Sequence, residues 1–187
     1  MSIISTYEQM APACHAYDPQ SPAVATILIS LIHARDPRLV VHHVGSTSVP
    51  ACAGKGVIDS LVAYPAGLLS TARELLQALG FQAQASRNPF PEDRPMRVGS
   101  LEHAGRRYLI HAHVVSAQSP KVDELLWFRA RLEMDAAVRA QYVAEKRRLL
   151  LEGVADSSDY AVRKGGFIQA VLQTRTVNPT PPPARPG

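Results

Sequence analysis

Four apolar side chains, Val24, Ile27, Leu28 and Leu31, fall on one stripe at helical spacing, directly after Ser21-Pro22. Serine and proline suit an N-cap and a first helical position, so a helix is predicted from about Ala23 to Ala34, ended by Asp36-Pro37. The apolar run Leu39 to Val44 then suits a buried strand. A second run, Val57 to Val62, is broken only by Asp59 and Ser60. Tyr64-Pro65 and Gly67 mark a turn. A helix from about Leu68 to Leu79 follows, with Gly80 as its C-terminal stop. Asn88 to Pro95, with three prolines and several charges, reads as a mobile loop. A hairpin comes next: Arg97 to Glu102, a turn at Ala104-Gly105, and a return strand Arg107 to Ser116. Three helices finish the pattern, from Ser119-Pro120 to Met134, from Asp135 to Leu151, and from a cap at Asp156 or Ser157 to Gln173.

This order predicts an α+β, mixed α/β fold: a small mixed sheet packed on helices, with a C-terminal three-helix segment. The boundaries are an irregular segment over 1–20, one domain over 21–174, and a proline-rich tail over 175–187 expected to be disordered. A chain of 187 residues, 46% hydrophobic, has enough material for a real core. A net charge of +4 permits anionic ligands, but no lysine-rich block marks a nucleic-acid tail. Cys14 and Cys52 lack metal-site spacing and read as reduced thiols. The first ten residues carry no basic-then-apolar signal, and no apolar run approaches membrane-spanning length. The expectation is a soluble, cytoplasmic protein.

The chemistry gathers between the first two strands. After Val44 come Gly45, Ser46, Thr47 and Ser48, a glycine and three hydroxyls at the end of a strand, where N–H and O–H groups can converge on an anion. Lys55 adds a point charge, and Asp59, inside an apolar strand, is costly unless paired or bound to a cation. On the return strand, alternation puts Leu109, His111, His113 and Val115 on one face, where both histidines can reach one ion or act as a general base. Arg129, Lys146 and Lys164 fall within the apolar stripes of three successive helices. Three inward cations point to an anionic cavity, or else to internal salt bridges with Glu92, Asp93 or Glu102.

The run Val44-Gly45-Ser46-Thr47-Ser48-Val49-Pro50, followed by Lys55 and Ile58-Asp59, resembles the signature of the GrpB family, which has the nucleotidyltransferase fold. Weaker echoes follow at His111-Ala112-His113-Val114-Val115, Trp127-Phe128-Arg129, Tyr142 with Lys146, and Tyr160 with Lys164. There are departures. Leu61 stands where nucleotidyltransferases place a second acid, His42 where the family usually has an acid, and Ala51 and Gly56 where it usually has glycine and proline.

The resemblance implies transfer of a nucleotidyl group from a nucleoside triphosphate to a small-molecule acceptor, with Mg2+ or Mn2+ held by Asp59, and His113 or His111 replacing the missing acid. Gly45, Ser46, Thr47, Ser48, Lys55, Arg129, Lys146 and Lys164 are the expected phosphate-binding set. Asp59, His111 and His113 are the expected catalytic set. A partner in the coenzyme A pathway follows from fusions of such domains to dephospho-CoA kinase. Two other functions stay open: a non-catalytic nucleotide- or phosphometabolite-binding module, and a metal-dependent hydrolase built on His111, His113 and Asp59.

Overall fold

The computed structural model describes residues 3–86 and 88–176. Helix α1 (Ser21–His33) leads into strand β1 (Val40–Val44), and a 3₁₀ turn over Ser46–Ser48 precedes β2 (Ile58–Tyr64). Helix α2 (Leu69–Leu79), the two-residue β3 (Gln82–Ala83), and the hairpin β4 (Met96–His103) and β5 (Arg106–Ser116) follow. Helices α3 (Pro120–Met134), α4 (Ala136–Leu151) and α5 (Ser157–Gln173) complete the domain, with a short 3₁₀ turn over Thr174–Thr176. Of the tail expected over 175–187, the residues from 177 on lie outside the described residues. Among the described residues, no helix is long and apolar enough to cross a membrane.

Local signals explain most boundaries. Ser119 caps α3 by accepting from Lys121 N–H, Asp135 caps α4 through Ala137 and Val138, and Asp156 caps α5 through Ser158 and Asp159. Gly80 ends α2 in the left-handed conformation with φ 109°. Ser21 departs from its expected role. Gln20 occupies the cap position of α1 without a side-chain cap bond, and Ser21 is buried inside the first turn, its hydroxyl without a hydrogen-bond partner among the described residues. Residues 88–95 form a loop, tied down by Glu92, which pairs with Arg73 and Arg97 at 2.9 Å each.

The sheet order is β1-β2-β5-β4-β3. Only β2 and β5 run parallel; the other neighbours are antiparallel, so the sheet is mixed. One face buries Ile58, Val62, Ile110 and Val114 against Val24, Leu28 and Ile32 of α1 and Ala72, Leu76 and Leu79 of α2. Each such aliphatic side chain stabilises the fold by roughly 1.5–3 kcal/mol when fully buried. The opposite face carries Val44, Leu61 and Val115 under Val122, Leu125 and Leu126 of α3. Beside that cluster, Val49 and Cys52 pack on Phe128 and Leu132 of α3 and Tyr142 of α4. The site lies on this second face, between the sheet and the last three helices.

The N-terminal segment, read from sequence as irregular, is an arm laid against the domain. Ser5 bridges Ser100 and His15 bridges Gly54, while Ile4 is buried in the main core. An added Cβ on Gly99 would overlap Ile4 Cγ2, so the strand needs glycine there to admit the arm.

Candidate functional site

Strand β1 ends at Gly45, whose φ of 72° lies in the region that favours glycine. The 3₁₀ turn that follows distributes its three hydroxyls unequally. Ser48 Oγ donates to Gly45 O at 2.7 Å, holding the turn closed. Thr47 Oγ1 donates to Val57 O at 2.9 Å and lies 3.0 Å from His43 Nε2. Because the single hydroxyl proton of Thr47 is committed to Val57, His43 Nε2–H is the donor in that second bond. Ser46 alone keeps its side chain toward the space between sheet and helices. A Cβ built on Gly54 would overlap Ser46 Oγ and lie 3.4 Å from Lys146 Nζ, so hydroxyl and amine both crowd that glycine.

The resulting cavity measures about 220 Å³. Gly45, Ser46, Lys55, Asp59 and His113 line it from the sheet side, and Phe128, Tyr142, Lys146, Tyr160, Lys164 and Ile168 from the helices. Seven residues expected from sequence therefore converge here: Gly45, Ser46, Lys55, Asp59, His113, Lys146 and Lys164. His111 does not line the cavity but touches Asp59. Thr47 and Ser48 serve the turn. Arg129 is not among the lining residues; its Nη1 donates to His43 O at 2.9 Å, and its Nε lies 3.5 Å from Glu133.

The parallel register pairs Asp59 with His111 and Leu61 with His113. Alternation along both strands then puts all four side chains on one sheet face. Asp59 Oδ1 lies 3.4 Å from His111 Nδ1 and 3.7 Å from His113 Nε2. Burial works against the Asp59 carboxylate, but the two histidines beside it outweigh burial and hold its carboxyl well below the usual range.

The three donor atoms of Asp59, His111 and His113 lie within 4.8 Å of one another. Two ligands at about 2.1 Å from a tetrahedral ion lie roughly 3.4 Å apart, which the Asp59–His111 separation matches and the Asp59–His113 separation slightly exceeds. Two imidazoles and one carboxylate form a softer set than the oxygen shell Mg2+ prefers, and suit Mn2+ or Zn2+ better.

The helices supply the opposite charge. Lys146 is only 2% exposed, with its amine on Ala53 O, 3.8 Å from Cys52 Sγ and 4.2 Å from the Tyr142 ring centre. Burial pushes its ammonium pKa down and Lys164 adds to the fall, while the Cys52 and Cys14 thiols work the other way. Burial and Lys164 likewise lower the Lys55 pKa, against the pull of Asp59. Among the described residues none of Lys55, Lys146 and Lys164 forms a salt bridge, whereas Glu92 pairs with Arg73 and Arg97 instead. Among the described residues the buried Tyr160 hydroxyl has no hydrogen-bond partner, and burial pushes its pKa up to about 12. Burial also raises the Tyr142 pKa well above the usual range.

Sequence reasoning missed Tyr7. Its hydroxyl meets His111 Nε2 at 2.9 Å, and burial followed by the Asp59 charge raises its pKa. It lies in a segment without periodicity, so no local signal marked it.

The sequence profile of the family described as GrpB protein matches residues 12–174. A UPF0157 protein of Streptomyces coelicolor is 33% identical over 131 residues, 70% of this chain and 66% of that protein. Another, from Halalkalibacterium halodurans, is 27% identical over 160 residues, 84% of this chain and 78% of that protein. The crystal structure of the conserved protein GrpB from Enterococcus faecalis shares a TM-score of 0.65 at 18% identity, over 88% of this chain and 99% of that one. A chain of the GLD-2/RNP-8 complex gives 0.58 at 13% identity, over 89% of this chain and 54% of that one. At such identities the structural likeness speaks for the fold, which is nucleotidyltransferase-like. With the profile spanning most of its length, the chain belongs to the GrpB family.

Proposed function

We propose that this chain binds a nucleoside triphosphate with a divalent cation in the cavity and transfers its nucleotidyl group to a small acceptor. The observation that carries this reading is the meeting of one carboxylate, Asp59, with three lysines that have no salt-bridge partner among the described residues. Unpaired cations at a buried site are costly, and an anionic ligand offsets that cost. Lys146 and Lys164 would neutralise phosphate oxygens from the helix side and Lys55 from the loop side, with the Ser46 and Tyr160 hydroxyls as donors. The cavity is smaller than the roughly 300–1,000 Å³ of a drug-sized ligand site, which suits a phosphate chain with the nucleoside toward the opening.

In the reaction, an acceptor oxygen attacks the α-phosphorus, the bond to the bridging oxygen breaks, pyrophosphate leaves and the acceptor proton passes to solvent. A cation held by Asp59, His111 and His113 would neutralise charge on the phosphates and polarise the phosphorus centre. The protein's own contribution is positioning and charge.

The test is a thermal-shift panel of the four nucleoside triphosphates with Mn2+ or Mg2+, followed by transfer of an α-phosphate label to a small-metabolite pool with release of pyrophosphate. A labelled coenzyme A precursor would identify the pathway. No stabilisation by any nucleotide with either cation would sink the reading. A second reading, a nucleotide-binding module without catalysis, is favoured by Leu61, which is fully buried against Val44 and Val115 and leaves a single carboxylate at the site. Nucleotide binding without label transfer would select it.

A further inference from the structure

His111 is held from both sides. Its Nδ1 faces Asp59 Oδ1 at 3.4 Å, and its Nε2 meets Tyr7 OH at 2.9 Å, with the two rings 5.4 Å apart. Tyr7 comes from the arm, N-terminal to the residues matched by the family profile, which begins at residue 12. The arm is clamped on both sides of Tyr7. Ile4 is buried in the main core over Gly99, and Ser5 exchanges backbone bonds with Ser100 at 2.8 and 3.0 Å. Ser100 Oγ donates to Thr6 O at 2.8 Å, Tyr7 N–H donates to Gln82 Oε1 at 3.0 Å, and Glu8 pairs with Arg107 at 2.9 Å. A tyrosine fixed this closely presents its hydroxyl to one ring nitrogen in a set direction.

An imidazole on a strand has two tautomers and a free ring rotation, and a ligating histidine needs its second nitrogen occupied to settle both. A phenol hydroxyl both donates and accepts, so it satisfies Nε2 in either protonation pattern. We propose that Tyr7 is a positioning residue of the cation site: its hydroxyl accepts the Nε2–H proton of His111 and leaves Nδ1, the nitrogen facing Asp59, as the ligand. The inference rests on the reading of Asp59, His111 and His113 as a cation site. It makes the arm part of the functional unit.

The experiment titrates Mn2+ by calorimetry into the full chain, Tyr7→Phe and Glu8→Ala, and follows the His111 ring nitrogens by 15N NMR in the metal-free proteins. Tyr7→Phe is expected to weaken Mn2+ binding tenfold to a hundredfold, the usual effect of losing such a partner, and to shift the Nε2 resonance. Glu8→Ala removes an exposed ion pair worth little by itself, while the backbone bonds of Ser5, Thr6 and Tyr7 still hold the arm, and should leave both unchanged. Mn2+ affinity of Tyr7→Phe within twofold of the unaltered protein, or an unmoved Nε2 resonance, overturns the assignment while the cation site stands. No Mn2+ binding by the unaltered protein overturns the cation site itself, and this inference with it.

Discussion

Asp59 Oδ2 occupies the space that a side chain at Gly45 would need: a Cβ built there would overlap that oxygen and lie 3.1 Å from Asp59 Cγ. Val44 pairs directly with Asp59 across β1 and β2, so the turn and the acid are fixed by one register. Gly45→Ala therefore has two costs, the positive φ and displacement of the carboxylate. The expected loss is about 1–3 kcal/mol of stability, with Mn2+ binding abolished. Urea denaturation and a Mn2+ titration check both parts, and unaltered Mn2+ affinity would refute the second.

Asp59→Asn keeps the shape and removes the charge. A cation at 100 times its dissociation constant stabilises a folded protein by about 2.7 kcal/mol. That gain should vanish in the variant, and in the unaltered protein Mn2+ should outperform Mg2+ at equal concentration. Thermal shifts with each cation measure this, and an undiminished Mn2+ shift in Asp59→Asn would remove Asp59 from the site.

Lys146→Met replaces a buried cation by an apolar chain of similar volume. The change removes the cost of burying an unpaired charge but leaves Ala53 O without its donor, so the melting temperature should change little while nucleotide affinity falls at least tenfold. Lys164→Ala should weaken binding similarly, and Arg147→Ala, at an exposed position one residue on, should not. Equal binding by all three would make these lysines structural.

His43 gives stability a pH dependence of definite sign. Burial first, and the Arg129 charge next, lower its pKa from 6.5 to about 4, against the pull of Asp59. The unfolded chain takes up this proton below its own pKa of about 6.5, before the folded chain does, so stability falls as pH drops from there towards 4. The loss from this group amounts to roughly 3 kcal/mol at most. His42, also lowered by burial and then by Arg129, acts in the same direction. His43→Gln should flatten the limb between about pH 6.5 and pH 4 in denaturation curves, and an unchanged slope would contradict the assignment.

Ala51 takes a φ of 62°, in a conformation that L side chains rarely adopt, at the position where the family resemblance leads one to expect glycine. Ala51→Gly should therefore stabilise the protein by about 1 kcal/mol, read from the denaturation midpoint. A lower midpoint would mean that the loop needs the methyl group.

The sequence by itself determined most of the elements, though not the two-residue β3, and it marked out the turn and the acid of the candidate site. Apolar periodicity and capping residues are local properties, so α2, the turn at Ala104-Gly105, and the caps Ser119 and Asp156 could be read directly. The Gly45–Ser46 turn and Asp59 were legible because a glycine and hydroxyls after one apolar run, and an acid inside the next, break a pattern that packing alone would not break. Ser21 shows the limit even of local signals, since a favoured cap residue was shifted one position into the helix.

Tertiary structure decided which of these groups meet. Arg129, Lys146 and Lys164 are alike in sequence, each a cation within an apolar stripe. Only the packing of the three helices sends Lys146 and Lys164 to the cavity and Arg129 to a backbone carbonyl. Alternation put His111 and His113 on one face, but only the parallel pairing of β2 with β5 set that face beside Asp59. Tyr7 reaches His111 across 104 residues of sequence through an arm held by single bridges and one buried isoleucine. Such an arm has no repeat, because its partners lie on other elements rather than along its own chain, and only the folded protein brings them together.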